Sequence, residues 1–270
     1  MTIIGVQLKS KVSSDSYVIY ILRLSIEIDG DSLPKDSPTI SPFKVNVDES
    51  VLVDLKDRLN KARLPTEAFD DTNFEYGFRA DVLRKVINHW STKYDWRAQE
   101  KVLNKYDQFK TQIEGLDIHF YHVKASSSAK TILPLLAVHG WPGSVVEYQK
   151  LIPLLTQPDK DGVAFEMVVP SLPGYGWSEG SHKPGLNIVH IGRILAKLMN
   201  KLGHQRFYYQ GGDWGSLIGK AIAALYPEKI RGVSLSFPIM PINLKVALKV
   251  GIGAIMPSLV FDDPRDTRWV

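Results

Sequence analysis

Gln210-Gly211-Gly212-Asp213-Trp214-Gly215 is the stretch of this 270-residue chain whose residue types and spacing could do chemistry. A short β-rich run, Arg206-Phe207-Tyr208-Tyr209, precedes it, and a helix-like run over 216–225 follows. A strand, a sharp glycine-flanked turn and a helix make the setting of a nucleophile elbow, written G-x-S-x-G in its serine form. Here the middle residue is an aspartate. A carboxylate that titrates near ~3.9 is ionised at neutral pH, so it can attack carbon without a base to deprotonate it. The glycines fit such a turn because a Cβ on either side would collide with neighbouring chain. Asp213 could equally cap the helix behind it, which is what most aspartates in this setting do. On the hexapeptide alone both readings stand.

The elements that must position this residue alternate. Residues 131–138 are an apolar run of buried-strand type, 145–155 read as a helix, 165–169 as a strand and 188–202 as a helix. The elbow strand and helix come next, then a strand over 230–237. Strands separated by helices of this length imply a parallel, doubly wound α/β sheet, with chemistry in the loops at the carboxyl ends of the strands. His139-Gly140-Trp141-Pro142-Gly143 is one such loop. An oxyanion hole in such a sheet takes one N–H from the residue after the nucleophile and another from the loop after the third strand. Those donors would be the backbone amides of Trp214 and Trp141. Pro142 is a candidate for a cis bond. A second loop, residues 170–178, is rich in Gly and Pro and shapes the rim of the same site without a chemical role.

Ahead of this core, 31–42 carries three prolines and reads as a linker, with the ordered domain beginning near Phe43. Asp48 is placed to cap a helix bearing Leu52, Leu55, Leu59 and Ala62 and ended by Pro65. Further helical stretches fall at 79–93 and 96–106, with charges on solvated faces and Trp90 and Trp96 used in packing. Residues 108–113 and 116–124 around Glu114-Gly115 predict a β-hairpin. His119 and His122 lie on it three apart, hence on opposite faces, so they do not share one metal ion. Near the start, Leu22, Leu24, Ile26 and Ile28 alternate with polar residues and predict a strand.

Bulk properties narrow the class. Net charge is +4 with no Lys/Arg block, which does not point to nucleic acid. The absence of cysteine excludes disulfides, thiolate metal sites and cysteine nucleophiles. No window approaches the ~18 apolar residues of a spanning helix.

With these loops in view, the chain resembles the microsomal-type epoxide hydrolases, including the insect juvenile hormone epoxide hydrolases, within the α/β-hydrolase family. The resemblance runs from about Pro42 to the end. It rests on Trp96-Arg97 with Glu100, Leu103-Asn104, Phe109 and Gly115-Leu116-Asp117-Ile118-His119-Phe120. It rests equally on the His-Gly-Trp-Pro-Gly, Pro-Gly-Tyr-Gly-Trp-Ser and Gln-Gly-Gly-Asp-Trp-Gly motifs, in order and at matching spacing. The resemblance implies that the Asp213 carboxylate opens an epoxide to a covalent hydroxyalkyl ester. Two lid tyrosines would protonate the epoxide oxygen, and a water activated by a histidine paired with an acid would release a vicinal diol. Trp141 and Trp214 amides would hold the oxyanion of that second step. It implies a small apolar epoxide and water as partners, no cofactor and no metal, and an endoplasmic reticulum membrane location.

The family order is nucleophile, acid, histidine, yet all seven histidines here precede Asp213. Most of the lid, the last two of eight expected strands, the acid and the histidine are therefore expected to be missing, as in a C-terminally truncated product. The expected division is an irregular segment and linker at 1–42, a helical arm at 43–107, an α/β-hydrolase core at 108–239 and the start of a lid at 240–270. The strand ending near Phe237 would then be an open sheet edge. No apolar anchor precedes the arm, so a cytoplasmic location stays open beside the membrane one. Two other readings compete: a non-catalytic relative that binds apolar epoxides or terpenoid lipids, and a haloalkane dehalogenase, which shares the Asp-Trp elbow.

Overall fold

The structure, a computed structural model, describes residues 34–66 and 73–237 together with 248, 252 and 256. The stretch expected to be a linker closes as a strand, β1 (Ile40–Phe43), paired antiparallel with β2 (Gln108–Ile113). β1 is at the end of the sheet, where Pro42, lacking an N–H, is tolerated. The approach to it is tied down as well, since Ser37 donates to the Gln112 carbonyl and Thr111 to the Thr39 carbonyl.

Three helices form the arm: α1 (Glu49–Asn60), α2 (Ala80–Thr92) and α3 (Trp96–Leu103). Asp48 caps α1 by accepting from the Ser50 amide at 2.8 Å, as its position predicts. Asp95 does the same for α3 through the Ala98 amide. The expectation that the α3 charges are solvated fails at Glu100, which is buried. Its carboxylate accepts from the Val47 amide, the Trp96 indole and the Arg97 guanidinium, at 2.7, 2.8 and 2.8 Å. Asn104 exchanges a pair of hydrogen bonds with the Val45 backbone, so the end of α3 grips the segment that leads out of β1.

β2 and β3 (Leu116–Val123) form the predicted hairpin, turning at Glu114 and Gly115 with φ of 52° and 81°. Then follow β4 (Thr131–Val138), α4 (Ile152–Leu155), β5 (Val163–Pro170), α5 (Ile188–Lys201), β6 (Phe207–Gly211), α6 (Trp214–Leu225) and β7 (Ile230–Leu235). The helix expected over 145–155 is instead a 3-10 turn, Val145–Tyr148, followed by the four-residue α4. Pro153 has no N–H to give and crowds the preceding turn, so the helix has to restart there.

The seven strands lie in the order β1-β2-β3-β5-β4-β6-β7. β5, β4, β6 and β7 run parallel, and the hairpin joins them through an antiparallel β3–β5 pairing. One core lies under α5 and α6 and contains Phe120, Leu136, Val168, Leu195 and Ile222. Another covers the opposite face around Tyr121, Met167, Val145 and Ile152. This is the expected α/β sheet with helices on both faces, extended by β1. Tyr226 packs against the first core, as expected. Among the described residues β7 is a sheet edge. The strand read at 22–28 and the lid read from Met240 lie outside the described residues.

Candidate active site

The carboxyl ends of β4 and β6 lie side by side, with Val138 paired to Gly211, so the two loops that leave them meet. Asp213 sits on the second loop with φ +50° and ψ −120°. Positive φ in a residue with a Cβ is uncommon and costs on the order of 1–3 kcal/mol. The side chain does not cap α6. It points across to the first loop, where its Oδ1 accepts from the Trp141 amide at 2.7 Å. The capping reading of Asp213 is thereby set aside by geometry.

Backbone packing explains the small residues around it. A Cβ on Gly215 would lie 2.2 Å from the Val138 carbonyl oxygen, and one on Gly140 would lie 2.4 Å from both Cβ and Oδ1 of Asp213. Alanine at position 215 would have to move backbone, and alanine at position 140 would have to displace the Asp213 side chain. Beneath the turn, the buried Tyr209 hydroxyl donates to the Gly215 carbonyl at 2.5 Å, and the Ser216 hydroxyl donates to the Gly211 carbonyl at 2.9 Å. Trp214 supplies the first amide of α6, which is one of the orphan donors of a helix start. Both tryptophan side chains are exposed, Trp141 at 69% and Trp214 at 45%. The Trp141–Pro142 bond is cis.

Buried histidines lock the neighbouring loops. His139 donates from Nδ1 to the Gly140 carbonyl at 3.0 Å and accepts the Leu172 amide on Nε2 at 3.1 Å. A carbonyl cannot donate and an amide N–H cannot accept, so these partners fix the neutral ring in one tautomer. Burial pushes its pKa down. His119 works likewise from β3. Its Nε2–H donates to Gln108 Oε1 and its Nδ1 accepts from the Ser171 hydroxyl, both at 2.9 Å. Burial, with a smaller contribution from Lys110, pushes it down to about 3. His119 and His122 are separated as predicted, since His122 turns to Glu166.

Of the three residues the sequence reading placed together, the structure sets the Trp141 amide on Asp213 Oδ1, with Trp214 next to Asp213 in the chain. The sequence reading overlooked Glu147, four residues after the His-Gly-Trp-Pro-Gly loop. Burial, and then the charge of Asp213, pushes the Glu147 carboxyl above its ordinary range. It also overlooked Tyr209, whose role depends on a carbonyl on the far side of the turn.

Parallel strands flanked by helices, with a strained acidic residue on a strand-to-helix turn, define the α/β-hydrolase fold. A sequence profile described as "Epoxide hydrolase N terminus" matches residues 40–148, and one for the alpha/beta hydrolase fold matches 134–265. The chain belongs to the epoxide hydrolase family. It is 48% identical to "Epoxide hydrolase 1" of Sus scrofa over 215 residues, covering 77% of this chain and 47% of that protein. It is 39% identical to the "Juvenile hormone epoxide hydrolase" of Manduca sexta over 256 residues, covering 92% of this chain and 55% of that one. The crystal structure of the juvenile hormone epoxide hydrolase of Bombyx mori superposes with a TM-score of 0.79 at 37% identity, over 85% of this chain and 54% of that one. The chain thus spans about half the length of the curated relatives it matches.

Proposed function

We propose that Asp213 is the nucleophile of an epoxide hydrolase, acting on a small apolar epoxide and water. The observation that carries this reading is a strained carboxylate that leaves its own helix uncapped and takes the Trp141 amide instead. One Asp213 oxygen attacks an epoxide carbon, the carbon–oxygen bond breaks, and the ring oxygen takes a proton from a donor as the ester forms. Water then adds to the ester carbonyl, and the resulting oxyanion is held by the Trp141 and Trp214 amides. A diol leaves and the carboxylate is restored. Losing one such amide donor costs about 10²–10³ in rate.

None of the seven histidines, all of which are described, hydrogen-bonds Asp213 directly. The step that this geometry supports directly is formation of the ester. The test is intact mass after incubation with a cis-stilbene-type epoxide and with a terpenoid epoxide, the latter suggested by the names of the insect relatives. The expected result is a gain of one epoxide mass, mapped to Asp213 and absent in Asp213→Asn. An unmodified Asp213 with measurable epoxide binding would favour a non-catalytic binder. Steady diol release would show that the second step is completed as well.

For the organisation of the chain, we propose an arm at 43–107 on a hydrolase core at 108–239, with 240–270 opening a lid. Kinship suggests attachment to the endoplasmic reticulum membrane, although no helix among the described residues is long and apolar enough to cross a membrane. Fractionation of the tagged chain tests that location.

A further inference from the structure

Below the sheet end that carries Asp213 there is a second group of chemically capable side chains, which the hydrolytic reading leaves unused. His122 on β3, Glu166 on β5 and His204 in the turn before β6 place one nitrogen or oxygen each within 4.8 Å of one another. His122 Nε2 lies 2.6 Å from Glu166 Oε1. His204 Nε2 lies 3.3 Å from the same oxygen but off the hydrogen-bonding direction, so this buried nitrogen has no hydrogen-bond partner. A buried lone pair without a partner is costly and calls for an explanation such as an ion.

We propose that His122, Glu166 and His204 form a binding site for a divalent transition ion of the zinc type. Two imidazoles and one carboxylate are a ligand set that zinc accepts, at about 2.0–2.2 Å, with water in the fourth position. Tetrahedral ligands at that length sit roughly 3.3 Å apart. The His204–Glu166 separation is already 3.3 Å, and the 2.6 Å His122–Glu166 pair has to open slightly. All three side chains are mostly buried, at 11%, 12% and 16% exposure, so solvent does not compete strongly. Lys124 is the competitor, with its ammonium 2.5 Å from Glu166 Oε1, but its side chain is 70% exposed and can swing into solvent.

The site is structural by position. Glu166 pairs with Pro134 on β4, whereas Asp213 follows Gly211, which pairs with Val138. At ~3.3 Å per residue the two sites are on the order of 15 Å apart along the strands. An ion there would fasten the hairpin strand β3 to β5 and both to the start of β6, which no single hydrogen bond in the group does.

The test is titration of the metal-free 270-residue chain with zinc chloride by calorimetry, and with cobalt chloride by visible absorption. One zinc per chain is expected, with a Kd of roughly 10 μM or tighter. The melting temperature should rise by roughly 5–10 °C at a hundredfold excess over Kd. Affinity should fall by about 10²-fold in His204→Ala and in His122→Ala, and stay unchanged in His182→Ala, an exposed histidine paired with Glu179. If a site variant fails to fold, the cobalt spectrum of the unmutated chain decides. Intense bands of a low-coordinate ion support the site, and the faint bands of a hydrated ion overturn it. Zinc binding that survives His204→Ala, or no binding up to about 100 μM, overturns it too.

Discussion

At the scale of single residues, the site depends on keeping one strained carboxylate aimed away from its own helix. Two neighbours enforce that aim by different means. Gly140 does so by absence, since an added methyl would lie 2.4 Å from the Asp213 Cβ and Oδ1. Gly140→Ala should therefore displace the carboxylate and slow ester formation by about 10²-fold, because misplacement by an ångström costs about that much. Single-turnover adduct formation followed by mass spectrometry reads this, and an unchanged rate would mean that the loop simply moves aside. Tyr209 does so from below, through its buried hydroxyl on the Gly215 carbonyl. Tyr209→Phe removes that donor while the helical Gly219 amide stays on the carbonyl, so a loss of roughly 0.5–1.5 kcal/mol is expected in urea unfolding. Neither contact was legible in the sequence, which showed only that glycines flank Asp213. A glycine pattern within six residues reports a local backbone demand, whereas the Tyr209–Gly215 and His139–Leu172 bonds exist only after the strands are registered.

At the scale of elements, periodicity located the hairpin, the arm helices and the β-α alternation because each is written in contiguous residues. It failed where an element depends on a distant partner. β1 looked like linker because four residues with a proline carry no strand signal until β2 offers an edge. Glu100 looked like a solvated charge because the amide of Val47, which it accepts, is 53 residues away. The attachment of the hairpin to α5 is of this kind. Arg193 grips Glu114 with two parallel bonds, at 2.7 and 2.9 Å, and Lys197 adds a third contact at 3.1 Å. The Glu114 side chain is only 5% exposed. Removing one partner of a buried pair strands the other charge. Glu114→Gln should keep the turn but lower stability by roughly 3 kcal/mol, read as a lower urea midpoint at constant slope. A loss under ~1 kcal/mol would show the pair to be screened as at a surface.

At the scale of the whole molecule, the buried histidines couple the site to pH. His119 and His139 are neutral in the folded chain, each held in its tautomer by partners on the 170–178 loop or its neighbours, and burial lowers both pKa values. In the unfolded chain a histidine takes its proton near ~6.5. Below that pH the unfolded state binds more protons than the folded one, so stability falls as pH falls. For His119 the loss continues down to about 3. Above ~6.5 both states are neutral and the contribution is fully present. Each histidine adds a slope of up to about 1.4 kcal/mol per pH unit in this window. Carboxylates complicate the lower end, so the informative range is from about pH 7 to about pH 5. Over that range urea midpoints should fall steadily, and His119→Gln should remove about one proton's worth of slope while lowering stability at neutral pH. Ester formation should fail before global unfolding, because a protonated His139 can no longer accept the Leu172 amide and the loop beside Trp141 is released. Stability that stays flat down to about pH 5 would mean that these rings take protons without leaving their partners, and the link between loop closure and the Asp213 site would not hold.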